Sequence, residues 1–377
     1  MRSRPAGGTS KRCVGEVSET RVVIAGGGTG GHLYPGVAVA RELLRRRPDA
    51  QVTFAGTARG LEATLVPKEG FELDVIRSAG LKGRSIVKAL RGLAMVPVSL
   101  ADAWALVSRR RPTVVVGVGG YSSGPVVLIA WLRGIPTMLL EQNAVPGLTN
   151  RLLARVVRAA ALTYDDVNNY FGRKAFVTGN PVRPEFFTPV ITSQSSIPNG
   201  LRVLILGGSQ GAHAINVAMV AASAELVRRH AGLQVVHQTG QRDLAVVREG
   251  YERAGVGARA ESFLDGVAGE MKLADLVICR AGATTLAELA AVGRPAVLVP
   301  LPGATDDHQR KNAEALATAG AAVLLEQETL TPDSLASTVS ALLNARDRLA
   351  RMADAMKQFA RPDAAARIVD RLMELAA

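Results

Sequence analysis

The chain carries one local pattern twice: RVVIAGGGTGGH from Arg21 to His32, and RVLILGGSQGAH from Arg202 to His213. In each copy an apolar run enters a glycine turn and is followed by a periodic apolar segment, as when a buried parallel strand feeds a helix. Glycines let the backbone approach an anion, and the following helix offers unpaired N–H groups at a positive dipole end. One such turn is equally well read as a plain strand-to-helix connection. Two matched turns point to two similar units whose helix N-termini face two phosphorylated molecules across a cleft, an arrangement suited to a transferase.

The rest of the chain fits an α/β protein of two domains. Its 377 residues, 48% hydrophobic with only 4% aromatic, favour alternating strands and helices over an all-β sandwich. Apolar runs at 22–25, 52–55, 114–118, 137–141, 160–163 and 175–177 predict a first doubly wound sheet. Runs at 203–206, 234–238, 258–262, 276–279, 296–300 and 322–324 predict a second. The expected organisation is a disordered leader at 1–20, a first domain at 21–182 and a Pro/Ser/Thr/Asn-rich linker at 183–200. A second domain at 201–348 is followed by a helical end at 349–377, for which a return to the first domain is one reading.

Forty-five Lys and Arg against 33 acids give a formal charge of +12, which suits phosphate-bearing or anionic partners. The excess forms no nucleic-acid arm; Arg45–Arg47 and Arg109–Arg111 close apolar segments, where helix C-termini favour cations and solvent. Cys13 and Cys279 sit in unrelated contexts and imply neither disulfide nor metal cluster. The basic leader lacks the apolar run of a secretory signal, and no stretch reaches 18 consecutive apolar residues.

Gly26, Gly28 and Gly31 satisfy the dinucleotide fingerprint, but a nicotinamide site also wants an acid at the end of the second strand. QVTFAGT ends without one, and Asp49 stands at the wrong end of that strand. In the second domain CRAGATTLAELAAVG predicts a helix beginning near Thr284 or Thr285 with Glu288 in its first turn. A carboxylate there suits the vicinal diol of a ribose, the competing reading being an acid that caps its own helix. The loop PLPGATDDHQRKNA presents Asp306, Asp307, His308, Gln309 and Asn312 beyond a strand end, a polar set fit for sugar hydroxyls or for plain solvation.

Taken in order and at their spacings, GGTGGH, GGYSSGP, EQN, TGNPVR, GGSQGA, CRAGATTLAE and DDHQRKNA resemble the MurG family of bacterial N-acetylglucosaminyltransferases, from about Arg21 to the C-terminus. The resemblance implies a GT-B glycosyltransferase fold, two Rossmann-like doubly wound domains facing a cleft. It implies transfer of N-acetylglucosamine, with inversion, from UDP-N-acetylglucosamine to the 4-hydroxyl of the MurNAc unit of lipid I, giving lipid II. It also implies a peripheral position on the cytoplasmic face of the plasma membrane, with lipid I, an anionic membrane surface and cell-wall synthesis proteins as partners and no nucleic acid. Carried onto matching positions, Ser209 and the turn Gln210, Gly211, Ala212 would hold the donor diphosphate, with Ala283, Thr284 and Thr285 lining its side. Glu288 would hold the ribose, Leu264 would meet uracil through backbone, and Gln309 with His308 would read the sugar. Arg183 would sit where the domains meet. Thr29, Gly30, Gly31, His32, Tyr121 and Asn143 fall to the first domain's side of the cleft, its glycine turn facing the acceptor pyrophosphate. Two positions depart from the family: Leu140 stands where a His often precedes EQN, and His308 replaces one of a pair of glutamines.

Inverting transfer is one displacement, needing a base for the acceptor hydroxyl and positive potential for the leaving diphosphate. His32 is the candidate base, with Asn143 beside it in the catalytic set; a structural histidine binding the turn or a phosphate is the equal alternative. Neither Asp165–Asp166 nor Asp306–Asp307 has the setting of a metal pair, so the expectation is chemistry without metal or cofactor. Arg84, Lys88 and Arg91 repeat at helical spacing, as do Ile86, Leu90 and Leu93 on another face, and Trp131 with Arg133 extends a surface that could meet anionic headgroups. An ordinary amphipathic core helix gives the same periodicity. The competing functions are a related transferase with another lipid or small-molecule acceptor, a sugar-nucleotide 2-epimerase, a nicotinamide dehydrogenase and a nonenzymatic membrane scaffold.

Overall fold

The computed structural model describes residues 19–28, 30–78, 86–165, 168–189, 200–208, 211–303 and 307–377, with backbone alone at 86–93 and 168. Thr29, Ser209, Gln210, Arg84, Asp166, Asp306 and most of the expected leader and linker lie outside the described residues.

The apolar runs pair in parallel throughout the described residues. Parallel neighbours cannot be joined by a tight turn, so helices carry the chain back across the sheet faces. The first sheet comprises β1 (Arg21–Gly26), β2 (Gln51–Gly56), β3 (Glu72–Val75), β4 (Val114–Gly119), β5 (Thr137–Glu141), β6 (Ala159–Leu162) and β7 (Ala175–Val177). The second comprises β8 (Arg202–Leu206), β9 (Gln234–Gln238), β10 (Ala258–Glu261), β11 (Leu276–Cys279), β12 (Ala296–Leu298) and β13 (Ala322–Leu324). Their orders, β3-β2-β1-β4-β5-β6-β7 and β10-β9-β8-β11-β12-β13, each reverse direction beside the first strand. In open α/β sheets that reversal leaves a crevice beyond the strands' carboxyl ends, where ligands bind. It falls between β1 and β4 in one domain and between β8 and β11 in the other. Both glycine turns sit there.

The first domain's helices are α1 (Gly30–Arg46), α2 (Glu62–Lys68), α3 (Ile86–Arg110), α4 (Ser123–Leu132), α5 (Leu148–Leu153) and α6 (Asn168–Phe171). The second has α7 (His213–Arg229), α8 (Leu244–Arg253), α9 (Val267–Leu273), α10 (Ala283–Val292), α11 (His308–Thr318), α12 (Pro332–Leu343) and α13 (Arg346–Lys357), and the chain ends in α14 (Ala364–Ala376). The helical end divides. Leu349, Met352 and Met356 of α13 stay in the second domain's core. Ile368, Val369 and Leu372 of α14, each 0% exposed, pack with Val39 and Leu43 of α1 in the first domain's core.

Three local expectations change. β3 has no apolar run: Glu72-Leu73-Asp74-Val75 is an edge strand, and Asp74 is held by Arg109 and Arg110 at 2.8 and 2.7 Å. Those two arginines, expected as solvated helix-end cations, therefore pin α3 to the sheet edge. Residues 183–187 are no open linker, since Pro184–Phe186 forms a short 3-10 turn and Phe186, 1% exposed, is part of the second domain's core. Leu140, in the family's frequent His position, is a core residue of β5, 2% exposed.

Candidate active site

The two sheet ends face one another across a cleft of about 1380 Å³. At the first switch point the glycines after β1 and β4 pack directly together. Gly120 has φ +82°, and a Cβ there would lie 2.3 Å from the Gly27 carbonyl oxygen; at Gly119 (φ +97°) it would lie 2.9 Å from His32 Nδ1. Any side chain would push the turn and His32 apart. α1 begins at Gly30, so the N–H groups of Gly30, Gly31 and His32 belong to a helix's first turn, which has no intrahelical partners. The Gly28 amide is not free: it donates to Glu62 Oε2 at 2.9 Å. Glu62 also accepts from Thr57 N and Thr57 Oγ1 at 2.9 and 2.7 Å, and its side chain is buried. Burial opposes its ionisation, but the amide hydrogen bonds from Gly28 and Thr57 outweigh this and hold the carboxyl below its usual range. An internal carboxylate thus occupies the outer part of the first turn and leaves its helical part open.

His32 lines the cleft with Nδ1 3.3 Å from Gln142 Oε1. Burial lowers its pKa, the Gln142 hydrogen bond works the other way, and His308 across the cleft lowers it further. The imidazole is therefore neutral at physiological pH, the form that can accept a proton. Asn143 also lines the cleft, but its side-chain N–H and backbone N–H both donate to Glu141 Oε1, at 3.3 and 3.0 Å. Glu141 collects further donors from Gly147 N and Asn150 Nδ2 at 3.1 and 2.8 Å. Burial nonetheless pushes its pKa up. Tyr121, 54% exposed, stands at the rim, its carbonyl accepting from Ser78 Oγ.

On the second domain's side, α7 and α10 both begin at the cleft without a side-chain cap, at Ala212 and Gly282 respectively. Gly211 lines the cleft, whereas the Ala212 side chain turns into the core, leaving only its backbone for a ligand. Glu288 is not in the first turn of its helix, as expected, but in the second, because α10 already starts at Ala283 behind a glycine. That position excludes the helix-capping role. It lies 7% exposed at the cleft, Oε1 3.4 Å from Arg183 Nη2. Burial pushes its pKa up to about 7 in spite of Arg183. The Arg183 guanidinium is itself held 4.1 Å over the Tyr34 ring and 3.2 Å from Glu185.

Ala283, Thr284, Thr285, Leu264, His308 and Gln309 also line the cleft. Several are already engaged. Leu264 N donates to Gln238 Oε1 at 3.2 Å, which leaves its carbonyl as the backbone group for a base. Gln309 Oε1 accepts from Leu301 N at 3.0 Å, so its amide N–H₂ is the end available to a sugar. Thr284 Oγ1 donates across the cleft to the Gly31 carbonyl at 2.8 Å. Asn312, 0% exposed, accepts from Ala144 N of the first domain at 3.1 Å and donates to Ala281 O of its own at 3.3 Å. It ties the domains rather than facing a sugar. His213, the last residue of the second motif, pairs with Asp243 at 3.0 Å. Glu62, Glu141 and Gln142 escaped the sequence reading; the last two stand in the EQN motif beside Asn143, while nothing local marks Glu62. Among the described residues no group of three His, Cys, Asp or Glu could hold a metal ion.

Comparison with known proteins agrees with this architecture. Residues 22–162 match the glycosyltransferase family 28 N-terminal domain and residues 202–368 the family 28 C-terminal domain. A protein of Anaeromyxobacter dehalogenans (strain 2CP-C) is 46% identical over 94% of this chain and 93% of its own length. One of Myxococcus xanthus (strain DK1622) is 43% identical with the same coverage. Both are named UDP-N-acetylglucosamine--N-acetylmuramyl-(pentapeptide) pyrophosphoryl-undecaprenol N-acetylglucosamine transferase. The crystal structure of Acinetobacter baumannii MurG superposes with a TM-score of 0.73 at 32% identity, covering 94% of this chain and 99% of that one. The two sheets, their facing switch points and full-length similarity together make the chain a member of glycosyltransferase family 28 and, within it, of the MurG N-acetylglucosaminyltransferases.

Proposed function

We propose that the chain transfers N-acetylglucosamine from UDP-N-acetylglucosamine to the 4-hydroxyl of the MurNAc unit of lipid I, with inversion, to give lipid II. The observation that carries this reading is the single cleft between two switch points, one presenting the uncapped starts of α7 and α10 with Glu288, the other the start of α1 with His32. Glu288 accepts the ribose hydroxyls, the starts of α7 and α10 take the diphosphate, and the Gln309 amide meets the sugar. The acceptor pyrophosphate meets the N–H groups of Gly30, Gly31 and His32.

In the transfer, the acceptor O4 attacks the anomeric carbon from the face opposite UDP. Its proton passes to His32 as the new C–O bond forms and the bond to the diphosphate breaks. Charge growing on the leaving diphosphate is met by helix N-terminal N–H groups, which are already oriented and need no reorganisation. We propose that the step needs no metal ion.

The acceptor's lipid calls for a membrane-facing surface on the first domain. No helix among the described residues is long and apolar enough to cross a membrane. Trp104, Trp131, Leu132, Leu148 and Leu152 are exposed along the neighbouring helices α3, α4 and α5, and Arg133 lies 5.1 Å over the Trp104 ring. Aromatic and aliphatic groups with an arginine at their edge suit the interface of an anionic leaflet. We place this face on the cytoplasmic leaflet, where nucleotide sugars are available. The test is transfer of labelled N-acetylglucosamine to a short-chain lipid I analogue with chelator present. A β-linked disaccharide product is expected; tight UDP binding without product would send the search to other acceptors, and product lost on chelation would overturn the metal-free step.

A further inference from the structure

A neutral imidazole holds one proton on either of two nitrogens, and only the bare one can act as a base. Water does not decide the matter for His32, because Nδ1 is turned into the protein. It meets Gln142, 2% exposed and set immediately beyond the end of β5, and the ring also lies within reach of the Val118 carbonyl, a second group that can only accept. A primary amide has a donating and an accepting end, so fixing one end fixes the other. The Gln142 Nε2 donates to the Val118 carbonyl at 3.1 Å. A carbonyl can only accept, so the amide cannot turn round without setting two oxygens against each other in a buried place. Its Oε1 therefore faces His32 Nδ1, at 3.3 Å, and this oxygen can only accept. That distance is at the long end for such a bond. On the other side, the missing side chain of Gly119 leaves just enough room for the ring edge, with Nδ1 2.9 Å and Cε1 3.0 Å from where a Cβ would be.

We propose that Gln142 is a positioning residue that holds the proton of His32 on Nδ1 and so leaves Nε2 bare for the acceptor hydroxyl. The consequence for catalysis rests on the reading of His32 as the base; the assignment of the tautomer does not. In this chain the proton-fixing task that other hydrolytic and transfer sites give to a carboxylate is done by a neutral amide locked by a strand carbonyl. An amide fixes the tautomer without the charge that would raise the imidazole's pKa.

The protein has five histidines, few enough for ¹⁵N-histidine labelling and long-range ¹H–¹⁵N correlation, with His32→Gln identifying the His32 signals. The wild-type ring is expected to show a protonated Nδ1 and an unprotonated Nε2 at neutral pH. The opposite pattern in the wild type would overturn the proposal without any Gln142 variant. Gln142→Met should give a mixture of tautomers and lower kcat at least about tenfold, a wrongly protonated imidazole being unable to take the proton, with KM for UDP-N-acetylglucosamine unchanged. Gln142→Glu keeps an accepting oxygen, so the Nδ1–H form should return and the acid limb of the kcat profile should move to higher pH. An unaltered tautomer in a folded Gln142→Met protein would also overturn the assignment. A shifted tautomer with kcat unchanged would uphold Gln142 and remove His32 as the base.

Discussion

Glu288 gives donor binding a definite pH dependence. Burial pushes its carboxyl up to about 7. A ribose diol donates two hydroxyl protons and is best met by the carboxylate. Below pH 7 the site must first lose a proton. At pH 6, one unit below, about nine-tenths of the free protein is protonated at Glu288, so binding of UDP-N-acetylglucosamine should release about 0.9 proton and be about tenfold weaker than at pH 8.5. The direction follows from the sign of the shift: a raised acid pKa leaves the carboxylate scarce on the acid side, and affinity rises with pH until about 8. Glu288→Gln replaces charge-assisted hydrogen bonds with neutral ones, a loss of about 1.5–3 kcal/mol, or roughly 10- to 100-fold in affinity at pH 8.5. The variant's affinity should not change with pH. Titration calorimetry in two buffers of different ionisation enthalpy reads both affinity and protons. Affinity flat from pH 6 to 8.5 with no proton released, or a Glu288→Gln variant keeping the wild-type pH dependence, would refute the reasoning.

Other perturbations separate the scaffold from the chemistry. Glu62→Ala strips Gly28 N and both Thr57 donors of their acceptor; unfolding in urea should show a loss of about 2–3 kcal/mol, and unchanged stability would mean water replaces the carboxylate. Asn312→Ala removes the tie between Ala144 and Ala281. It should weaken donor binding about tenfold, the effect of losing roughly one buried hydrogen bond between the two domains that line the cleft, and affinity at the wild-type level would show that the tie is dispensable. Replacing Trp131 and Leu132 together with serine should lower partition onto anionic vesicles about tenfold or more, while transfer to a water-soluble acceptor analogue stays intact; equal partition would place the membrane face elsewhere.

The inner strands of both sheets were readable because strands covered on both faces must be largely apolar. β3 was not, because an edge strand covered by paired charges carries no such run: Asp74 is buried only through Arg109 and Arg110, which arrive from the far end of α3. Glu288 was legible as an acid at the cleft. Its turn of helix was misjudged because the start of α10 is set by Gly282, which supplies no capping side chain. The residues that prepare the site are hardest to see. Glu62 and Gln142 act on Gly28 and His32 through folding of distant segments, and neither spacing nor periodicity encodes that contact. Resemblance supplied candidate ligand contacts, but it could not show that Leu264 N, the Gln309 oxygen and the Gly28 amide already have partners.

The crossing of α14 onto α1 sets an order of events during synthesis. The first domain's sheet is complete once β7 has left the ribosome, and it can cover one side of α1, yet the side that α14 covers waits until Ile368, Val369 and Leu372, beyond the entire second domain, are made. Domains generally fold as they emerge, and here the half translated first is the half finished last. A nascent chain must therefore carry a partly uncovered α1, the helix that begins at His32's turn, through translation of the entire second domain. Synthesis of α14, rather than completion of the first sheet, is therefore the step that completes the core on that side of α1.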